Sequence, residues 1–116
     1  MAAEAAAEKK AEDIIVMDVG GLLVVTDYFV ICTGRTDRQV RSIAEEVELK
    51  LKHAGLAPIG VEGSEEGKWV LVDFVDVVLH VFQPEEREFY RLEKLWGEAK
   101  HLELPESVAG PGADGS

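Results

Sequence analysis

Two apolar runs separated by a single residue constrain the fold of this chain more than any other feature. Residues 68–74 (KWVLVDF) and 76–82 (DVVLHVF) are rich in β-branched and aromatic residues, which favour strands. Because almost nothing lies between them, the runs predict a hairpin and therefore an antiparallel pair. On a strand, alternate side chains share a face, so Trp69, Leu71 and Asp73 oppose Val70 and Val72.

The clearest helix is predicted over residues 36–55. Thr36 and Gln39 form a capping box, Gly55 is a natural residue to follow the helix, and apolar residues recur at helical spacing between them. Short apolar runs predict strands at 13–19, 27–34 and 56–63. The strand–helix–strand passage over 27–63 predicts a right-handed crossover between parallel neighbours.

The order of elements predicts an α/β (α+β) fold, a mixed five-stranded sheet with helices packed on it. A last helix is expected from Pro84, with Phe89, Leu92 and Trp96 on one face. Residues 1–12 form a helical segment with a mostly alanine face, which we expect to be frayed or docked on the surface. The domain is expected over 13–97. Residues 98–116, acidic and rich in Pro, Gly and Ser, are expected to be a disordered tail.

The net charge of −11 argues against direct capture of nucleic acid, because an acidic surface repels phosphate backbones. It favours a basic protein partner, although acidity can also serve solubility alone. The N-terminus lacks the apolar region of a secretory signal, and no apolar stretch has the length of a membrane helix, so we expect a cytoplasmic protein. Cys32, the only cysteine, excludes an intrachain disulfide and is typical of a small core residue rather than a nucleophile.

Two aspartates and a histidine interrupt the hairpin and raise the question of a catalytic or metal site. Asp73 and Asp76 are three residues apart across the turn, which is not the spacing that aims two carboxylates at one metal from a single strand. Local hydrogen bonding in the turn explains either aspartate, and a structural hydrogen bond explains His80. A cation bound across the hairpin remains the alternative.

Two further features can be interpreted either as binding sites or as parts of the structure alone. Trp69 and Leu71 are either an exposed hot spot or a pair of residues covered by a helix. The helix start near Gly34 could bind an anion with the help of Arg35, Arg38 and Arg41, but the capping box explains Thr36 and Gln39 without a ligand.

The motifs TDYFVICTG, RQVRSIAEEVE, GVEG, KWVLVDF, DVVLHVF and EEREFYRLEKLWG occur in an order and spacing that resemble the ribosomal silencing factor (Iojap-like) family over about residues 10 to 97. The resemblance implies a nucleotidyltransferase-like fold that is not catalytic and needs no cofactor or metal. It implies binding to the large ribosomal subunit through its fourteenth ribosomal protein, on the intersubunit face. Subunit joining is then blocked and translation is repressed. It also implies a link to large-subunit assembly, little direct contact with nucleic acid and, for some members, homodimers.

Carried onto this chain, the resemblance places partner contacts on the hairpin surface. The expected contact residues are Glu62, Trp69, Leu71, Asp73, Asp76 and His80. Trp69 would be the anchor, and the acids would meet Lys or Arg on the partner. The alternative is a nucleotide-binding enzyme on the same fold, with a metal and a nucleotide near Gly34, Thr36 and Asp76. Family members usually have glycine where this chain has Val75, so we expect a differently shaped turn.

Overall fold

One six-stranded mixed sheet organises the protein, which is described by a computed structural model over residues 2–20, 26–95 and 100–102. The strands are β1 (Glu12–Asp18), β2 (Tyr28–Thr33), β3 (Gly60–Glu62), β4 (Trp69–Asp73), β5 (Val77–Phe82) and β6 (Lys100–Leu102). The helices are α1 (Ala2–Glu8), α2 (Asp37–His53), α3 (Pro84–Tyr90) and α4 (Leu92–Leu95). The predicted α/β class is confirmed, with one more strand than the sequence indicated.

The order across the sheet is β3-β4-β5-β2-β1-β6, and only β2 and β5 are paired in parallel. The β4–β5 hairpin is antiparallel, as predicted. The prediction that the strands on either side of α2 are neighbours was wrong. The hairpin lies between them and places β3 at the edge, because β5 takes the position beside β2. Periodicity along the chain carries no information about which strands become neighbours.

Helix α2 packs on the first face of the sheet with its predicted apolar stripe. Its buried residues are Val40, Ile43, Ala44, Val47 and Leu51. The N-cap is Thr36, whose Oγ1 accepts a hydrogen bond from the backbone N–H of Gln39. At the other end, the N–H groups of Gly55 and Leu56 bond to the carbonyls of Lys52 and Leu51, with Gly55 at φ +90°. This is a Schellman motif, for which glycine is the preferred residue.

Helix α1 is docked rather than frayed. Four alanines, Ala2, Ala3, Ala5 and Ala6, are buried in the same core cluster as α2 and the first face of the sheet. Small side chains allow the two helices to approach closely, so an alanine face gives little area per residue but a tight contact.

The second face carries a separate core made by alternate residues of the four central strands, among them Met17, Phe29, Ile31, Val78 and Phe82. Helix α3 lies over its β4–β5 end and has no buried residue of its own. The helix ends at Tyr90 because Arg91 takes the left-handed conformation at φ 45°. Within the described part of the chain, the second face is therefore covered more lightly than the first, by α3 and by Leu92 of α4.

Several expectations for the C-terminal part need correction or fall outside the described residues. Phe89 does not share a buried face with Leu92, since its side chain is 79% exposed. Trp96 and most of the tail, including residues 103–116, lie outside the described residues. Strand β6 lies within the segment expected to be disordered from residue 98, and it pairs with β1 over Val16, Met17 and Asp18. Among the described residues, no helix is long and apolar enough to cross a membrane.

Candidate partner-docking surface

Trp69 forms the centre of an aromatic cluster on the second face. Its ring stacks on Phe82 with centroids 4.9 Å apart and is tilted against Tyr90 at 4.6 Å. The side chain is half-buried, so each of the two sequence-based interpretations, an exposed hot spot or a residue covered by a helix, is partly correct. Tyr90 of α3 covers one side of the ring, and the other side stays accessible. Tyr90 was not predicted, because the expected helical face of α3 placed Phe89 inward instead.

His80 fixes the orientation of the Trp69 ring. The indole Nε1–H of Trp69 donates a hydrogen bond to His80 Nδ1 at 3.1 Å. An acceptor at Nδ1 requires the proton of the neutral ring to be on Nε2. Burial lowers the pKa of His80 to about 4, so the imidazole is neutral at physiological pH and stays an acceptor.

The expectation that His80 itself contacts a partner does not fit its position. The side chain is only 4% exposed, because β5 is a central strand with β4 on one side and β2 on the other. The sequence pattern shows which face a strand residue lies on but not whether the strand is central or at an edge. His80 is therefore a positioning residue for Trp69, and its Nε2 has no hydrogen-bond partner among the described residues.

Strand pairing brings the other predicted residues to the same face as Trp69. Glu62 on the edge strand is opposite Leu71, and Leu71 is opposite His80. Asp73 follows two residues later and shares that face. We define the Trp69 patch by five residues. It consists of the partly or well exposed side chains of Trp69, Leu71 and Tyr90 and the carboxylates of Glu62 and Asp73.

The turn after β4 explains the two aspartates locally. Asp73 Oδ1 accepts a hydrogen bond from the N–H of Val75 at 2.8 Å, and the N–H of Asp76 donates to the carbonyl of Phe74 at 3.1 Å. Val75 is at φ 77°, which makes this a classic γ-turn, a rare and strained form. The expectation that valine would avoid positive φ and change the shape of the turn was wrong, because Val75 takes the positive φ that glycine would favour. The exposed Asp76 extends the acidic edge beside the Trp69 patch.

The strained turn is held from outside by the segment before β2. Thr26 Oγ1 donates to the carbonyl of Val75 at 3.1 Å, and the N–H groups of Asp27 and Tyr28 both bond to the carbonyl of Asp76 at 3.0 Å. These three hydrogen bonds connect the turn, and with it the acidic edge of the surface, to the start of β2.

The described residues contain no arrangement that suits metal or nucleophilic chemistry. No group of three or more His, Cys, Asp or Glu side chains among them could hold a metal ion. The carboxylate of Asp73 accepts a hydrogen bond from the N–H of Val75 within the turn, and Asp76 follows the turn at the start of the second arm. Cys32 is fully buried, and burial raises the pKa of its thiol to about 12, so it is not a reactive thiolate at neutral pH.

Comparison with known proteins places this chain in a family. The family model "Ribosomal silencing factor during starvation" matches residues 1–114. The chain is 47% identical to Ribosomal silencing factor RsfS of Bacillus subtilis, over 90% of this chain and 88% of that protein. It is 36% identical to Mitochondrial assembly of ribosomal large subunit protein 1 of the mouse, over 77% of this chain and 40% of that protein.

A crystal structure from Chromobacterium violaceum shows the same fold. It has a TM-score of 0.82 and 40% sequence identity, and the match covers 100% of this chain and 93% of that one. Sequence and structure agree, and the match runs through both the hairpin and α2 rather than through one motif. The chain belongs to the family of ribosomal silencing factors.

Proposed function

We propose that the protein represses translation by docking on the large ribosomal subunit and blocking its joining with the small subunit. The docking partner is the fourteenth large-subunit ribosomal protein, on the intersubunit face, and the protein acts in the cytoplasm. The name of the Bacillus subtilis relative supports a silencing role, and that of the mouse relative supports a large-subunit partner. No cofactor or turnover is needed, because a rigid body at the interface is enough to prevent joining.

The observation that carries the proposal is the fixed and half-exposed Trp69. Its ring is held by the His80 hydrogen bond and by stacking on Phe82, so little side-chain entropy is lost when a partner covers it. Tryptophan anchors in partly desolvated surroundings dominate the binding energy of many interfaces. Leu71 and Tyr90 extend the apolar area around this anchor.

Charge supplies the selectivity. Glu62, Asp73 and Asp76 lie around or beside the anchor, and the chain as a whole carries −11. Ribosomal proteins are typically basic, so complementary charge favours them as partners, whereas the acidic surface is repelled by bare rRNA. The proposal therefore assigns the contact to a protein surface and not to an RNA groove.

The test is co-sedimentation of the protein with purified ribosomal subunits at limiting Mg²⁺. We expect the protein in the large-subunit peak and a smaller joined-ribosome peak. A protein that stays at the top of the gradient and leaves joining unchanged would contradict the proposal.

A substitution at the anchor tests the surface itself. Trp69→Ala should weaken large-subunit binding by roughly 30-fold or more, the loss expected for a hot-spot residue. Leu49→Ala is the matched control, because Leu49 is an exposed apolar residue on α2, on the opposite face of the sheet. Circular dichroism checks that both variants fold. Equal affinity of the folded Trp69→Ala variant and its control would remove Trp69 from the interface.

Charge reversal tests the acidic rim. Glu62→Lys should weaken binding most at low salt, since rim charges act over a Debye length of about 10 Å at 0.1 M. Glu45→Lys on the exposed side of α2 makes the same charge change away from the surface. If both variants lose affinity equally, the partner senses net charge alone.

A further inference from the structure

A groove of about 950 Å³ lies at the end of the sheet where β1 starts and β2 finishes. Its lining includes Arg35, Arg87, Arg91 and Lys94, which are four of the chain's 12 lysines and arginines. The lining also includes the acids Glu12, Asp13 and Glu88. Among the described residues of the lining, four cations therefore stand against three acids, whereas the whole chain has 12 lysines and arginines against 23 acids. This end of the molecule is thus a local cationic region on an acidic protein.

The groove lies beside a position where α/β sheets commonly bind ligands. From the ends of the parallel neighbours β2 and β5, the chain continues into α2 on the first face and into α3 over the second. Where connections from adjacent parallel strands diverge in this way, a crevice opens beyond their carboxyl ends. Thr33 is the last residue of β2, and Pro84 is the first residue of α3; both line the groove.

Arg87 is held in place at the floor of the groove. Its Nη1 donates to the carbonyl of Asp13 at 2.6 Å and to Thr33 Oγ1 at 2.8 Å. Asp13 lies within an irregularity of β1, at φ 48°, which turns this carbonyl toward the arginine. These two hydrogen bonds fix the position of the Arg87 guanidinium beside the groove.

Within the described residues, Arg35 is held by an exposed ion pair, and Arg91 is held by an exposed ion pair and a hydrogen bond from its Nε to the carbonyl of Glu88. Arg35 Nε bonds to Glu12 Oε2 at 2.7 Å, with side chains 72% and 40% exposed. Arg91 pairs with Glu88, whose side chain is well exposed. Exposed pairs of this kind are worth about 0–1 kcal/mol, so exchanging the carboxylate for a stronger acceptor costs little. Phosphate is such an acceptor, since arginine binds it bidentately.

We infer that the groove binds a small anion carrying two or more linked phosphate groups, as in a nucleoside polyphosphate. Its volume is within the range of small-molecule sites. Four convergent cations match a compact multiply charged group better than an extended strand, whose further phosphates would meet the acidic surface. The site is separate from the Trp69 patch, because Arg87 on α3 and Arg91 directly after it reach the groove, whereas Tyr90 contacts Trp69. It does not rest on the proposed function.

The test is calorimetric titration of the full chain with sodium tripolyphosphate at low salt. We expect saturable one-to-one binding and a roughly 100-fold loss of affinity in the Arg35→Gln/Lys94→Gln variant, because each of the two lost charge-assisted contacts costs about tenfold, or about 1.4 kcal/mol. Arg38→Gln/Lys52→Gln is the matched control. It removes the same residue types from exposed positions of α2 outside the groove lining, and its affinity should change less than twofold. Absence of binding, or equal weakening in both variants, would overturn the inference.

Amide chemical shifts locate the ligand, and a competition distinguishes two phosphate sources. Tripolyphosphate should shift Thr33, Arg35 and residues 84–94, and shifts confined to other segments would overturn the assignment. A single-stranded RNA of equal phosphate count without a terminal triphosphate should fail to displace tripolyphosphate. If the RNA displaces it at equal or lower concentration, the groove recognises an RNA backbone and the small-anion inference is wrong.

Discussion

Lowering the pH from 7 to 5 should destabilise the protein by about 2 kcal/mol through His80 alone. In the folded state, burial lowers the pKa of His80 to about 4. In the unfolded chain, the pKa of a histidine is about 6.5. Protons therefore bind the unfolded state more strongly throughout the interval between these two values.

The direction and size of the effect follow from this difference. Above the unfolded pKa, both states are neutral and the full stability is present. As the pH falls, the unfolded state gains a proton first, and stability is lost until the folded pKa is reached. The whole interval of about 2.5 units corresponds to roughly 3 kcal/mol, of which about 2 kcal/mol falls between pH 7 and 5. Such a loss is a large share of the stability of a small domain.

Urea unfolding followed by circular dichroism at several pH values measures this loss. His80→Gln should reduce it by about 2 kcal/mol relative to the native chain, because glutamine does not titrate but can still accept a hydrogen bond from Trp69. His53→Gln is the control, since His53 is exposed in the last turn of α2 and its replacement leaves the buried group in place.

If the native chain and His80→Gln lose the same free energy of unfolding between pH 7 and 5, the reasoning is wrong. If the variant does not fold, the ring signals of His80 in the native chain provide the answer directly. They should show no protonation down to pH 5, and a midpoint near 6.5 would overturn the argument.

Three further substitutions or reactions test the fold locally. Val75→Gly should raise the free energy of unfolding by about 1 kcal/mol, because it relieves the strain of φ 77°; an unchanged or lower urea midpoint would argue against strain. Gly63→Ala should destabilise by about 3 kcal/mol or more, since Gly63 is at φ 85° and an added Cβ would lie 2.0 Å from the carbonyl oxygen of Trp69. Gly60→Ala, with no atom within 4 Å of the added Cβ, should change stability little, and equal losses would refute the contact. Cys32 should resist thiol reagents in the native state and react once urea unfolds the chain, whereas fast native labelling would contradict its burial.

Local signals made the best predictions of structure. Helix α2 begins and ends within two residues of its predicted bounds, because Thr36, Gly55 and the apolar stripe act over one or two helical turns. The hairpin was equally clear, since its two arms are nearly contiguous in the chain. Strand order was not predictable in this way. The position of β5 beside β2 is a contact across 49 residues, as between Thr26 and Val75, and no periodicity encodes it.

The candidate surface shows the same division between local and non-local information. Alternation placed Trp69 and Leu71 on one face, as the sequence predicted. The pairing of β3 with β4, which the sequence did not predict, brings Glu62 to that face. The roles of His80 and Tyr90 depended on tertiary packing: one is buried by the strands on both sides, and the other reaches Trp69 only because α3 ends where it does.

The absence of any buried residue in α3 gives the molecule two cooperative units of unequal strength. Helix α2, with five buried residues, can open only when the sheet does, so its amides should exchange with solvent through global unfolding. Helix α3 can detach while the sheet stays intact, and its amides should exchange at a much lower opening free energy. Each such opening removes Tyr90 from Trp69 and bares one side of the indole. We therefore expect the accessible area around Trp69 to vary with the opening of α3.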